Sequence, residues 1–292
     1  MEINRPLKQV DLKSKLTLYF FRFIVYLVLI LFAAAIIFIF YTLVINTTRA
    51  HVQIQRGLSL FPGKSFVRNF KALFGDTNMF VARGILNSLF IATCSAVLTT
   101  YFSALSAYSL HLYRFKGRTF AYMFILAIIM IPSQIASIGL VTILYRVNFV
   151  DNYWVIILPA IASPTTVFFM KQYLDSNLPY EVIEAARVDG SHEFRTFNQI
   201  VLPILSPAMA VQFIFAFVAS WNNLFFPSLI IQSSNKRTVP VIISLLSASS
   251  PDTFDTGKNF MLMAWAIVPM IIVYLIFSKR IIKGITAGSV KG

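Results

Sequence analysis

The chain reads as an all-α integral membrane protein with six transmembrane helices, a short polar helix in a cytoplasmic loop, and both termini cytoplasmic. Three observations predict this. Of its 292 residues 58% are hydrophobic and only 12% charged, with 29 phenylalanines, far from soluble-domain usage. Six apolar runs approach or exceed the roughly 20 residues that a helix needs to cross a bilayer core about 30 Å thick. Between two of them lies a polar run, Leu178 to Pro203, that carries helix start and stop signals of its own.

In chain order, residues 1–17 precede the first apolar run, Leu18 to Asn46, which is too long for a cleaved signal peptide and is expected to be a retained helix. Residues 47–83 form a loop on the far side. Within it Phe66, Phe70 and Phe74 recur every four residues and predict a packing or interfacial helix across the outer mouth. A five-helix block follows over 84–284: Gly84 to Ser106, Thr119 to Leu144, Trp154 to Phe169, Ala208 to Ile231 and Phe260 to Phe277. Residues 285–292 form a tail. Pro132 falls midway through the third run, Pro159 and Pro164 divide the fourth, and Pro227 interrupts the fifth. Each removes a backbone hydrogen bond and permits a bend, which a membrane tolerates where backbone is buried in protein or lines a wet cavity.

The net charge of +14 does not mark a nucleic-acid surface, because the basic residues sit at the ends of apolar runs. Arg5, Lys8, Lys13 and Lys15 precede the first run, Arg114, Lys116 and Arg118 crowd a short link, and Lys279, Arg280 and Lys283 follow the last. With six spans these groups share one side, which the positive-inside rule makes cytoplasmic. The 47–83 loop is also basic, but longer loops discriminate poorly. A lone Cys94 excludes an intramolecular disulfide, and His51, His111 and His192 are scattered over different segments, so no metal site is expected. Gly63-Lys64-Ser65 lacks the glycine a phosphate loop needs five positions earlier, where Leu58 stands, so this chain is expected to bind no nucleotide.

No Asp or Glu falls inside the six runs, which argues against proton- or sodium-coupled transport. The polar residues within them are neutral: Gln134, Thr165, Thr166, and the stretch Ser220-Trp221-Asn222-Asn223. Amides beside an aromatic ring suit an uncharged, hydroxyl-rich solute, and Gln134, Trp221, Asn222 and Asn223 form the expected substrate path. Helix-to-helix hydrogen bonding is the competing role for the same groups.

The polar run builds an L-shaped foot. Pro179 stands at the start of a helix that carries Glu184-Ala185-Ala186 and stops at Gly190, and a second helix begins with Ser191 as cap and Glu193 in its first turn. It continues through Ile200, Leu202 and Pro203 into the next apolar run. Here the chain resembles the membrane-spanning subunits of ABC importers, whose cytoplasmic signature is Glu-Ala-Ala, three residues, Gly, nine residues, Ile, one residue, Leu-Pro. Glu184, Ala185, Ala186, Gly190, Ile200, Leu202 and Pro203 fill all seven fixed places.

The stretch Trp221 to Ile230, the ending Gly284 to Gly292, Asn87-Ser88-Leu89 and the link Tyr113 to Arg118 resemble the carbohydrate branch, specifically the shorter subunit of a maltose-type pair. The resemblance runs from about Phe61 to Gly292, with Ser289 departing where many relatives carry a small apolar residue. It implies a non-catalytic permease subunit of an ATP-driven, binding-protein-dependent sugar importer in a bacterial-type plasma membrane. The implied partners are a homologous permease, two ABC ATPase subunits that hold ATP and Mg, and an extracytoplasmic solute-binding protein. This chain would hold no cofactor itself. The resemblance further implies that Glu184, Ala185, Ala186, Asp189 and Gly190 couple to the ATPase within a loop spanning 174–203. It also places the tail between the ATPase subunits and lets the longer partner make most sugar contacts. A permease of this architecture for a peptide or another solute, an ATP-independent channel or carrier, and a non-transport scaffold are the alternatives.

Overall fold

The computed structural model describes residues 12–249 and 254–289, and all regular structure among them is helical. The long first helix α1 (Leu12–Thr47) is apolar on every side, and its most hydrophobic stretch buries nothing against the rest of the chain. Such a surface needs lipid or a second protein around it. After a short α2 (His51–Gln55), helix α3 (Phe66–Phe74) presents the expected phenylalanine ladder. Phe70 and Phe74 pack at 4.6 Å between centroids and both reach Trp265, while Asn69 on the inner side donates to the carbonyls of Thr47 and Arg49 at 2.8 and 2.9 Å. Gly257 passes so close that a Cβ there would lie 2.7 Å from the Asn69 amide and 2.8 Å from the Arg49 carbonyl oxygen. These contacts fix the end of α1 to the bundle.

Helix α4 (Val81–Leu112) is the axis of the molecule, about 48 Å long at 1.5 Å per residue. Its buried face carries Ala92, Ser95, Ala96, Thr99, Ser103, Ala104 and Ala107, small residues that let neighbouring helices approach closely. The third apolar run is broken rather than merely bent. Helices α5 (Arg118–Ile129) and α6 (Ser133–Arg146) meet at 94°, because Pro132 caps α6, lacks an N–H and disfavours helical backbone at Ile131. The fourth run is divided as expected into α7 (Trp154–Ile157), a 3-10 turn (Leu158–Ile161) and α8 (Pro164–Asn177), but it extends to Asn177 and not just to Phe169.

The foot comprises α9 (Tyr180–Val188) and α10 (Glu193–Thr196). A π turn (Phe197–Val201) then leads into α11 (Leu202–Trp221). The proline ring at Pro203 would clash with the carbonyl four residues back, and the wider π turn relieves that clash. The fifth span therefore runs Glu193–Trp221, a correction to the expected Ala208 to Ile231. Two asparagines end it. Asn222 closes α11, and the Asn223 side-chain oxygen accepts the Phe226 N–H at 3.2 Å and so starts the separate short helix α12 (Phe225–Ile230), which contains Pro227. Helices α13 (Val239–Ser247) and α14 (Thr256–Ser289) complete the order. Helix α14 carries the chain through residues 285–289 of the expected tail, while 290–292 and the expected N-terminal residues 1–11, with Arg5 and Lys8, lie outside the described residues.

Five described helices are long and apolar enough to span a bilayer, and the α5–α6 pair, bent by 94°, brings the number to six where it is counted as one broken span. Two of the three apolar clusters lie towards the ends of α4, and the third joins Ile91 to Leu144, Ile157 and Ile230. Tyr108, Met170, Leu174, Ile183, Phe197 and Leu205 gather near its C-terminus, beside the foot, and Leu73, Val81, Phe217, Trp221, Ile242 and Met261 near its N-terminus.

At the end remote from the foot, Asp151 latches two loops together. Its carboxylate accepts the backbone N–H groups of Gln232 and Ser233 at 3.0 Å, the Ser233 hydroxyl at 2.6 Å and the Lys236 ammonium at 2.9 Å. Burial opposes the charge, but the bonds from the Ser233 hydroxyl and N–H, Lys236 and the Gln232 N–H outweigh it and hold the carboxyl well below its usual range. A carboxylate so depressed stabilises the fold fully above the unfolded value of about 3.9, and that contribution disappears as pH falls through the folded value. Asp151→Asn keeps a residue type that tolerates the positive φ of 57° found here. It is expected to cost about 1–3 kcal/mol at neutral pH and to flatten the loss of stability below about pH 4, read as melting temperature against pH for the purified protein.

Candidate functional site

The foot is built to be stiff and to show one face. Helix α9 buries Ile183 and Ala186, with Ile183 in the apolar cluster of Leu174, Leu178 and Phe197, so their spacing fixes its roll. Glu181, Glu184, Ala185, Val188 and Asp189 consequently share the outward side. Glu184 and Asp189 have no side-chain partner among the described residues, and Val188 between them is 88% exposed, the most exposed of the described large hydrophobics.

Gly190 ends the helix with φ +76°, in the left-handed region that glycine alone enters without a Cβ penalty. The Ser191 N–H then bonds back to the Ala186 carbonyl at 2.9 Å. Pro179 precedes the first helical residue as the cap, and His192 caps the second leg where Ser191 was expected: the His192 ring nitrogen accepts the Arg195 N–H, and Ser191 accepts the Thr196 hydroxyl at 2.9 Å. The shift by one residue follows from the turn, since Ser191 is still engaged in closing α9.

Two polar braces hold the L to the bundle. At its elbow Arg187 donates twice to one Glu193 oxygen, at 2.9 and 2.7 Å, and the hydroxyl of buried Tyr108 donates to the other at 3.1 Å. At its entrance buried His111, in the last turn of α4, places its two ring nitrogens 2.8 Å from the Asp175 carboxylate and 3.1 Å from the Leu178 carbonyl. The ring stacks on Tyr180 at 5.0 Å, and the Tyr180 hydroxyl donates to the His111 carbonyl at 2.9 Å. These contacts tie the foot to α4 and to the end of α8.

A second feature lies inside the bundle. A cavity of about 620 Å³, within the roughly 300–1,000 Å³ range of small-molecule sites, opens between α4, α6, the broken fourth span and α11. Its polar lining is uncharged: Ser95, Ser137, Thr165, Gln212, Ser220 and Asn223 are representative, with Phe169, Phe215 and Phe226 supplying aromatic surface. Of the four residues expected on the substrate path, only Asn223 lies on this wall. Gln134 is exposed on α6 beside the lining residue Ser133, Trp221 is 2% exposed and stacks on Phe217, and Asn222 faces a separate recess of about 390 Å³ bounded by α13 and α14. Trp221 ends α11 on its buried side, and the chain leaves the helix at Asn222, so Asn223 alone of the three turns to the cavity. Gln212 and Ser95 were not anticipated. The available signal was the single amide in the run Ala208 to Phe217, where side-chain hydrogen bonding is otherwise absent.

Comparison with known proteins shows the family of the chain. Residues 96–286 match the family model described as binding-protein-dependent transport system inner membrane component. The chain is 33% identical to the arabinooligosaccharides transport system permease protein AraQ of Halalkalibacterium halodurans, over 86% of this chain and 89% of that one. It is 32% identical to the lactose transport system permease protein LacG of Rhizobium radiobacter, over 91% and 95%. Its fold superposes with a TM-score of 0.78, at 17% identity, on a chain from the crystal structure of a bacterial ABC transporter involved in the import of the acidic polysaccharide alginate, covering 89% and 96% of the two chains. The protein belongs to the family of inner membrane components of binding-protein-dependent transport systems.

Proposed function

We propose that this subunit is the permease for a sugar or oligosaccharide, driven by ATPases that grip the outward face of α9. The observation that carries this reading is the pairing of a braced foot, its exposed Glu184–Val188–Asp189 face without a partner among the described residues, with an uncharged cavity further along the same helices. Relatives named for arabinooligosaccharide and lactose transport support the substrate class. Orientation follows: the foot and the C-terminal end of α4 face the cytoplasm, and the Asp151 latch faces outward.

In this mechanism ATP and Mg reside on two partner ATPase subunits, and this chain contributes no nucleotide ligand. Closure of those subunits moves α9 as a rigid body, and the two braces pass the displacement into α4, α8 and α11, whose separation opens or closes the cavity. A homologous permease faces the exposed side of this chain, and an extracytoplasmic binding protein delivers the solute. The absence of lining charges suits hydroxyl groups better than ions.

The test begins with co-purification from membranes, which should recover an ABC ATPase and a second permease whose joint ATP hydrolysis rises with sugar-loaded binding protein. Glu184→Lys, which alters only the exposed face, is expected to lower ATPase recovery and sugar uptake by about tenfold, the scale of one charge-assisted contact. Wild-type recovery and uptake in that variant would remove the docking role.

A further inference from the structure

Resting on the sugar-permease reading, we propose that this subunit binds the solute itself, at a subsite formed by Ser95, Gln212 and the start of α8. The evidence is a contrast within one cavity wall. Several of its polar groups are already satisfied: Thr99 donates to the Ala160 carbonyl at 2.7 Å, and the hydroxyls of Ser163 and Thr166 bond each other at 2.8 Å. Others are not. Ser95 is 3% exposed, lines the cavity, and its hydroxyl has no hydrogen-bond partner. Gln212 is 7% exposed on the same wall, and its amide has no partner among the described residues. Buried polar side chains in folded proteins nearly always have a partner. The Ser95 hydroxyl lacks one, as do Ser103, Thr238 and Asn259 elsewhere, and what sets this wall apart is that the unpaired Gln212 amide lines the same cavity, so one ligand can supply both.

The broken fourth span adds backbone donors to the same place. The first N–H groups of a helix lack intrahelical acceptors. Pro164 carries no N–H, and that of Val167 reaches the Ser163 carbonyl at 3.0 Å, which leaves those of Thr165 and Thr166 free at the cavity lining. The set is rich in donors: one hydroxyl, two backbone N–H groups and a carboxamide. It matches the oxygens of a hydroxylated ring, with the Gln212 carbonyl oxygen accepting one hydroxyl in return. Phe169 and Phe215, both substantially exposed, offer aromatic surface for the apolar face of that ring. No lining side chain carries a charge that would single out an ion. Discontinuous helices whose ends face a membrane cavity are a recurring way to hold a transported solute.

The experiment uses the complete transporter, reconstituted in proteoliposomes with its second permease, ATPases and saturating binding protein. Tritiated arabinotriose, maltotriose and lactose are the probes, and the readout is sugar delivered per ATP hydrolysed. Gln212→Leu and Ser95→Ala are each expected to lower that ratio by about tenfold, the worth of one hydrogen bond to a solute oxygen, with Gln212→Asn intermediate. A variant that only disturbs packing lowers uptake and hydrolysis in proportion, so a proportional fall in both overturns the subsite, as does an unchanged ratio in both. Should the wild-type transporter import none of the three sugars, the sugar-permease reading fails and the subsite with it. Wild-type uptake combined with either negative result removes the subsite alone.

Discussion

Gly190→Pro is expected to abolish solute uptake, lowering it by at least about a hundredfold, while the subunit still inserts and assembles. Proline fixes φ near −65° and removes the backbone N–H. Gly190 needs φ +76°, and its N–H donates to the Arg187 carbonyl at 3.0 Å. The turn therefore cannot form, the Ser191 bond back to Ala186 is lost, and the second leg leaves α9 in another direction. With it goes the geometry that brings Arg187 to Glu193. Gly190→Ala separates backbone strain from crowding, because an alanine Cβ at this site meets no atom within 4 Å. Only the left-handed conformation is then penalised, by about 1–2 kcal/mol, and uptake should fall roughly tenfold. Uptake and ATP hydrolysis in proteoliposomes check both. Full uptake by the proline variant would show that the elbow does not transmit force.

Local signals made the foot legible in the sequence, and long-range ones did not. The spacing of Ile183 and Ala186 gives the buried face of α9, and Gly190 in a helix-stop position gives its end, so both are readable within a dozen residues. The fifth span was misplaced because hydropathy continues across Asn222 and Asn223 into Leu224 and Phe225, and two capping amides barely alter an average over about 20 residues. Gln212 escaped for the same reason. Its significance lies in lining one cavity with Ser95 and the start of α8, and that arrangement exists only after three helices pack. The Asp151 latch joins residues 82 positions apart, and the His111–Asp175 contact 64, with no periodicity connecting either pair.

The His111 joint supplies the other large effect. Leucine fills much of the space of an imidazole but makes neither hydrogen bond, so His111→Leu strips Asp175 of one partner and leaves the carbonyl of buried Leu178 without the donor seen here. Each lost bond of this kind costs about 1–3 kcal/mol, enough to lower uptake by roughly thirtyfold if the entrance to α9 must be rigid. The ring stack on Tyr180 is also lost. Three contacts remain: Lys171 still pairs with Asp175 at 2.6 Å, and Tyr180 and Arg118 still donate to the residue-111 carbonyl. The foot should therefore loosen without unfolding. Limited proteolysis between residues 178 and 193 distinguishes this from a docking defect. Glu184→Lys changes the exposed face and should leave the cleavage rate of the isolated subunit as in wild type, whereas His111→Leu should raise it several-fold, and His111→Asn, whose amide can serve one of the two acceptors, should fall between. Unchanged cleavage together with unchanged uptake in His111→Leu would mean that α4 does not steer the foot through this ring, and force would have to pass through the Arg187–Glu193–Tyr108 brace alone.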